Sequence, residues 1–282
     1  RLATGGQDGS VHLLNPNAPD APLSRGIGAD WIEHLAWSPN PAAPPLLAAV
    51  CGSGIALLNP DATSAATLPA APKNISALAW SPANTPLLAA AHFGAVRLLT
   101  PNGDVRQLPH TAPANTLAFS PDARWLAAAN RDHSVRLWLN PSAPAPDTFQ
   151  MTGFPNPLAC LSFSNDSALL ATDGGPDACV WDCRGTGPEN RDPLMLPHDA
   201  RIRALRFANQ SPLLASASDD GGVQLAQILP SPVPGQPAAA KPLLAMRLPA
   251  PAVQIAFSPD DTHLALATSA GVLYCLKRAG RP

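Results

Sequence analysis

The sequence has no run of Lys or Arg, and its 18 basic residues stand against 20 acidic ones. That balance lacks the electrostatic footprint of a binder of duplex DNA, RNA or an anionic membrane. Long apolar runs are also missing: Leu46–Val50 and Leu87–Ala91 are about strand length, far short of a membrane span. Five cysteines (Cys51, Cys160, Cys179, Cys183 and Cys275) are too few and too scattered for a disulfide framework. They lie in apolar, strand-like runs, where a free thiol behaves as a small hydrophobe, and they point to a reducing compartment, the cytoplasm. Residues 1–10 hold no apolar segment of the secretory type.

Catalytic and metal-binding signatures are just as scarce. The seven histidines are scattered, with no His-x-x-x-His, no paired Cys at zinc spacing and no glycine-rich phosphate loop. Cys179 and Cys183 stand four apart on one strand face, without a second pair or a nearby His, and read as packed core. No Gly-x-Ser-x-Gly occurs, and Cys51-Gly52-Ser53-Gly54 reads as a hairpin turn. No metal and no cofactor are expected.

What the chain has in quantity is proline, 35 residues of it, with alanine-rich stretches between. The prolines recur at fixed places beside a repeated phrase. The phrase is Leu35-Ala36-Trp37-Ser38-Pro39-Asn40, Leu78-Ala79-Trp80-Ser81-Pro82-Ala83 and Leu117-Ala118-Phe119-Ser120-Pro121-Asp122. It returns as Leu161-Ser162-Phe163-Ser164-Asn165-Asp166, Leu205-Arg206-Phe207-Ala208-Asn209-Gln210 and Ile255-Ala256-Phe257-Ser258-Pro259-Asp260. The aromatics are 43, 39, 44, 44 and 50 residues apart. A second apolar run follows each phrase, then a Gly/Asp/Asn turn, then an alternating run such as Ser134-Val135-Arg136-Leu137-Trp138. A weaker fourth run, such as Asp104–Leu108 or Lys241–Leu248, closes the unit.

Four short strands per unit of roughly 40–45 residues is the pattern of a propeller blade. One four-stranded sheet cannot cover both of its faces, but radially arranged sheets cover one another. The Leu and the aromatic of each phrase are two apart and share a strand face. The Ser-Pro-Asn/Asp turn ends the strand, because Pro offers no amide to the ladder. The expectation is an all-β, seven-bladed β-propeller of four-stranded antiparallel blades, forming a single domain over residues 1–282. Seven turn-plus-third-strand segments stand near residues 8, 53, 94, 132, 177, 220 and 271, against six copies of the phrase. The first and last blades are therefore expected to be incomplete, with the missing outer and inner strands upstream or elsewhere in a longer protein. Finding 28 strands would overturn that count, and a six-bladed ring with a stray hairpin is the alternative.

The array resembles the WD-repeat (tryptophan–aspartate) family, best in the unit containing Trp125 to Trp138. The resemblance implies a structural hydrogen-bond network at His110, Asp132 and Trp138, with Ala128 in the family's Ser/Thr place. Other units keep fewer members: Thr4 and Asp8 in the first, Trp181 and Asp182 in the fifth, His198, Ser216 and Asp220 in the sixth. It also implies partner docking on the face made by the segments leading into the inner strands and by the hairpins before the turn aspartates. Trp31, Glu33, Phe93, Arg131, Arg201 and Arg203 fall there, and Trp and Arg are residue types that dominate binding energy. The expected role is a non-catalytic protein-interaction scaffold or sensor module. Its partner would be another protein, a peptide, or other domains of the same polypeptide, and neither nucleic acid nor membrane. The alternative is a propeller enzyme or small-ligand binder using the central channel. Glu33, Arg203 and Gln254 are the main polar side chains expected at the channel mouth, and one acid with one base is no metal cage.

Overall fold

A computed structural model describes residues 2–15, 18–39, 44–83 and 86–278. Asn40, which ends the first copy of the phrase, lies outside the described residues. Among these residues the chain forms 26 strands in seven antiparallel sheets. The first sheet holds β1 (Leu2–Gly5), β2 (Ser10–Asn15) and β3 (Ala18–Gly26). The second holds β4 (Ile32–Trp37), β5 (Leu47–Cys51), β6 (Gly54–Leu58) and β7 (Ser64–Leu68). The third holds β8 (Ile75–Trp80), β9 (Leu88–His92), β10 (Gly94–Leu99) and β11 (Val105–His110). The fourth holds β12 (Ala114–Phe119), β13 (Trp125–Asn130), β14 (Val135–Leu139) and β15 (Asp147–Met151). The fifth holds β16 (Leu161–Phe163), β17 (Leu169–Asp173), β18 (Asp177–Asp182) and β19 (Leu194–Pro197). The sixth holds β20 (Ile202–Phe207), β21 (Leu213–Ser218), β22 (Gly222–Leu229) and β23 (Ala239–Arg247). The seventh holds β24 (Ala252–Phe257), β25 (His263–Thr268) and β26 (Leu273–Lys277).

Each sheet runs as a meander in sequence order. This is the fold of a seven-bladed β-propeller, with three strands in the first and last blades. By compactness the chain divides into unit 1, Arg1–Phe119 with Ser142–Pro144, and unit 2, Ser120–Pro141 with Ala145–Pro282. In unit 1, β4 lies against β8; in unit 2, β16 and β24 flank β20.

Every aromatic of the repeated phrase is the last residue of a first strand: Trp37, Trp80, Phe119, Phe163, Phe207 and Phe257. All are buried or half-buried. The Trp80 indole also reaches the neighbouring sheet, its Nε1–H donating to the Ala36 carbonyl at 2.9 Å. Behind them, the second strands of the third to sixth sheets are buried throughout; β9 reads Leu-Ala-Ala-Ala-His and β13 Trp-Leu-Ala-Ala-Ala-Asn. Apolar clusters form between adjacent sheets. Val50, Leu57 and Leu68 of the second pack with Ile75, Trp80 and Leu88 of the third. Fully burying one such Leu contributes about 1.5–3 kcal/mol.

In the third, fourth and sixth copies of the phrase the turn that follows is closed by the serine. Ser120 Oγ donates to Asp122 Oδ1 at 2.6 Å and accepts the Trp125 amide at 2.9 Å. Ser164 with Asp166 and Leu169, and Ser258 with Asp260 and His263, repeat the same distances. The following residue takes a left-handed conformation: Ala123 at φ 59°, Ser167 at 62° and Asp261 at 57°. The hydroxyl therefore satisfies the amide that re-enters the ladder, a role that goes beyond the proline break expected from sequence. One detail of the cysteine reading is corrected. β18 ends at Asp182, so Cys183 lies beyond it, where its amide donates to the Ala168 carbonyl at 2.8 Å.

Candidate functional site

The loops that carry the candidate residues are pinned by the backbone. In unit 1 the Ile32 amide donates to Gly6 O and the Ile75 amide to Gly52 O, each at 3.0 Å. In unit 2 the Ile202 amide donates to Gly175 O at 2.8 Å and Leu158 to Asn130 O at 3.2 Å. A turn of one sheet thus holds the start of the next. Gly9, at φ 72°, lies so close that a Cβ would come within 2.0 Å of Gly28 O, so only glycine fits.

In unit 1, Trp31 is 59% exposed and Phe93 65% exposed. Gly52 lies near the segments that lead into β4 and β8: a Cβ there would stand 3.1 Å from Asp30 Oδ2 and 3.9 Å from Asn74 Oδ1. Trp31 follows Asp30, and Phe93 follows His92, which pairs with Ile75. Glu33 is exposed at the start of β4. Both aromatic side chains are thus presented to solvent from loops.

In unit 2, Arg203 Nε pairs with Asp219 Oδ1 at 2.5 Å. The Arg201 guanidinium donates to Pro157 O at 2.9 Å, and its own carbonyl accepts the Asp219 amide at 2.9 Å. Arg131 is exposed in the turn after β13. Beneath these loops lies a carboxylate absent from the sequence reading. Asp173 is 2% exposed and accepts the Ala159 and Cys160 amides at 3.0 Å. Burial pushes its carboxyl above the usual carboxylate range, with the amides and the charge of Arg201 pulling the other way.

The sixth-unit residues form one connected network. His198, at the end of β19, sets Nε2 2.8 Å from Ser216 Oγ and Nδ1 3.1 Å from Ser218 Oγ. Ser218 donates to Asp220 Oδ1 at 2.6 Å, and the Gly222 amide donates to the same oxygen at 3.1 Å. The Ser218 hydroxyl and the Gly222 amide hold the Asp220 carboxyl at about 2. Burial depresses His198, with Asp220 opposing. Ser218 is the member the sequence reading missed; its signal is the Ser216-x-Ser218-x-Asp220 alternation. Because Ser218 donates to Asp220, its oxygen accepts from Nδ1–H, and Ser216 donates to Nε2. The ring therefore clamps the fifth sheet to the sixth, with no carboxylate oriented to make it a base.

Elsewhere the family positions have these contacts. Trp181 Nε1–H donates to Thr172 Oγ1 at 3.1 Å. Asp182 instead faces Arg184, whose Nε and Nη2 each approach it at 2.9 Å, and accepts the Gly235 amide at 2.7 Å. Burial opposes its charge, but the Arg184 and Gly235 hydrogen bonds hold the carboxyl below its usual range. Asp132 accepts Ser134 Oγ at 2.5 Å, and Asn130 Nδ2 donates to that hydroxyl at 3.1 Å. His110 is buried at the end of β11, and Trp138 is buried opposite Leu126. Asp8 accepts the Ser10 amide at 3.0 Å, while Thr4 stands across from His12. Among the described residues, no group of three or more His, Cys, Asp or Glu is gathered to hold a metal. None of them forms a helix long and apolar enough to cross a membrane.

The WD domain, G-beta repeat family matches residues 103–138 and 193–225. These stretches hold His110, Asp132 and Trp138, and His198, Ser216 and Asp220. A chain in the crystal structure of a mitotic checkpoint complex is similar in fold, at TM-score 0.76 and 17% identity, over 99% of this chain and 84% of that one. These two stretches match WD repeats, and the chain around them folds as a seven-bladed β-propeller. The chain is also similar to Protein HIR1 of Yarrowia lipolytica, 28% identical over 133 residues, or 41% of this chain. It covers 12% of the length of that protein.

Proposed function

We propose that this WD-repeat propeller is a non-catalytic interaction scaffold or sensor module. It binds a partner protein or peptide, or other domains of its own polypeptide, through its inter-strand loops. The candidate residues there are Trp31, Glu33 and Phe93 in unit 1 and, taken separately, Arg131, Arg201 and Arg203 in unit 2. WD-repeat propellers commonly bind other proteins. The observation that carries the reading here is the exposure of Trp31 and Phe93 on loops whose backbones are already hydrogen-bonded. Large aromatics on ordered loops lose little conformational freedom on binding and supply much of the energy at interface centres. The His198 clamp, whose hydroxyls and carboxylate hold one another, supports a structural role over catalysis. Five unpaired cysteines support a reducing compartment, the cytoplasm. A formal net charge of −2 speaks against nucleic acid.

The test is affinity capture with the intact gene product, comparing wild type with Trp31→Ala, Phe93→Ala and Arg203→Ala. Lys241→Ala on β23 serves as a control away from these loops. Loss of the captured partner in the loop variants alone supports the reading. Undiminished capture by all three loop variants sinks it.

A further inference from the structure

The seventh sheet ends in an open edge. In each of the other six sheets the strand equivalent to β26 has a neighbour on both sides, as β22 has β21 and β23. Among the described residues, β26 pairs with β25 alone. The Thr268 amide donates to Val272 O at 2.9 Å and the Arg278 amide to Thr262 O at 2.8 Å. Hydrogen-bonded pairs alternate along an antiparallel ladder, so Val272, Tyr274, Leu276 and Arg278 turn their backbone polar groups to β25. Leu273, Cys275 and Lys277 turn theirs outward, a row of amides and carbonyls ready for another strand.

A groove of about 180 Å³ lies beside that edge, between the sixth and seventh sheets. Leu225 of β22, Leu243 and Leu244 of β23, and Phe257 and Leu276 of the seventh sheet line it. Leu243 is 48% exposed and Leu244 36%, because the sixth sheet has a fourth strand and the seventh has none to set against it. Charge at the groove is one-sided. The Asp261 carboxylate is taken up by Asn209, Gln210 and Ser211. Lys277 and Arg278 are exposed, and neither belongs to the five ion pairs among the described residues. A second copy does not suit this edge. Antiparallel pairing of β26 with itself needs a two-fold axis perpendicular to the sheet, which would bring the second copy's sixth sheet to the side where β23 already stands.

We propose that the edge of β26 and the groove beside Leu243 and Leu244 take one extended segment of a partner protein, added antiparallel as the fourth strand of the seventh sheet. Main-chain hydrogen bonds to Leu273, Cys275 and Lys277 hold it, and its alternate side chains, aliphatic, fill the groove. An acidic residue stands at its N-terminal end, next to Lys277 and Arg278. The site is separate from the loop residues of the proposed function, and neither reading depends on the other.

A fluorescent peptide of alternating valine and threonine, with two glutamates at its N-terminal end, tests this by anisotropy on the intact gene product. Saturable binding is expected, several-fold tighter than for the same peptide with its glutamates at the C-terminal end. Cys275→Pro removes an outward amide that β25 does not use and should weaken binding about three- to tenfold. Leu243→Lys should weaken it about tenfold or more. Equal binding by wild type and both variants, or of both peptides, overturns the proposal. So does a failure of the peptide to bind, as when the slot is already filled from the intact polypeptide, or a wild-type dimer that excludes the peptide. Should Cys275→Pro not fold, Leu243→Lys, at a half-exposed position, decides alone.

Discussion

Asp261 offers a direct measure of how much one side chain contributes to joining two blades. It is 5% exposed, and its carboxylate accepts the Asn209 amide at 2.7 Å, the Gln210 amide at 2.8 Å and Ser211 Oγ at 2.8 Å. All three donors belong to the turn between β20 and β21, so Asp261 fastens the sixth sheet to the seventh. Hydrogen bonds to a charged acceptor contribute about 1.5–3 kcal/mol each where the donor is left dry. Asn209 and Gln210 are exposed, so water recovers part of that on truncation. The left-handed backbone at φ 57° suits Asp and Asn better than Ala, so strain adds to the loss in the Ala variant and not in the Asn one. Asp261→Ala should then destabilise by about 3 kcal/mol, or roughly 6–12 °C in Tm for a domain of this size. Asp261→Asn keeps one acceptor oxygen and should lose less than half as much. Urea unfolding followed by tryptophan fluorescence, with unchanged m-value, reads both. Variants within about 0.5 kcal/mol of wild type, or an Asn variant as damaged as Ala, would show that the carboxylate is not the fastening.

Two further outcomes follow from the buried groups. His198 is held neutral by burial, below its usual value of about 6.5, so unfolding takes up a proton there in mild acid. Stability should be complete above pH 6.5 and decline as pH falls below it. A Tm–pH series should show a shallower decline in His198→Gln, though not a flat one, because burial depresses His34 in the same direction; superimposable slopes would contradict the clamp. Among the thiols, burial pushes Cys160 and Cys179 up to about 12 and raises Cys183 as well, whereas Cys275 is exposed. Iodoacetamide at mildly alkaline pH should modify Cys275 first, and peptide mass spectrometry showing Cys179 labelled equally fast would refute that order.

The architecture was legible because its signal is local and repeated. A phrase such as Leu78-Ala79-Trp80-Ser81-Pro82 encodes in five residues a strand, its covered face and its exit turn. The six copies mark the ends of β4, β8, β12, β16, β20 and β24. Strand limits were less visible: the run Leu87–Ala91 appears as Leu88–His92, because pairing with Ile75 and Ala95 carries the ladder one residue on. Outer strands were legible only as weak fourth runs: Lys241–Leu248 appears as β23, Ala239–Arg247, which is largely exposed and has too little alternation to mark its limits. What the sequence concealed are groups whose partners sit on another sheet. Asp261 is one carboxylate in an Asp-Asp pair until Asn209 and Gln210 are brought to it, and Arg97 is an alternating polar residue until Pro69 O of the preceding sheet is brought to it. Trp31 and Phe93 were legible as loop residues, since the phrase dates their positions within the unit.

The joints between adjacent sheets have a consequence for how such a chain can change. The second and third sheets meet through Trp80 with Ala36 and Arg97 with Pro69, the fifth and sixth through His198 with its serines, the sixth and seventh through Asp261. Each seam uses a different chemistry, although the sheets share one plan. Swapping two sheets, or duplicating one in place of its neighbour, would therefore set mismatched halves together and strand a buried group on each side. The repeats are alike in outline but keyed to their position, so this propeller can lengthen its loops freely while its order of blades stays fixed.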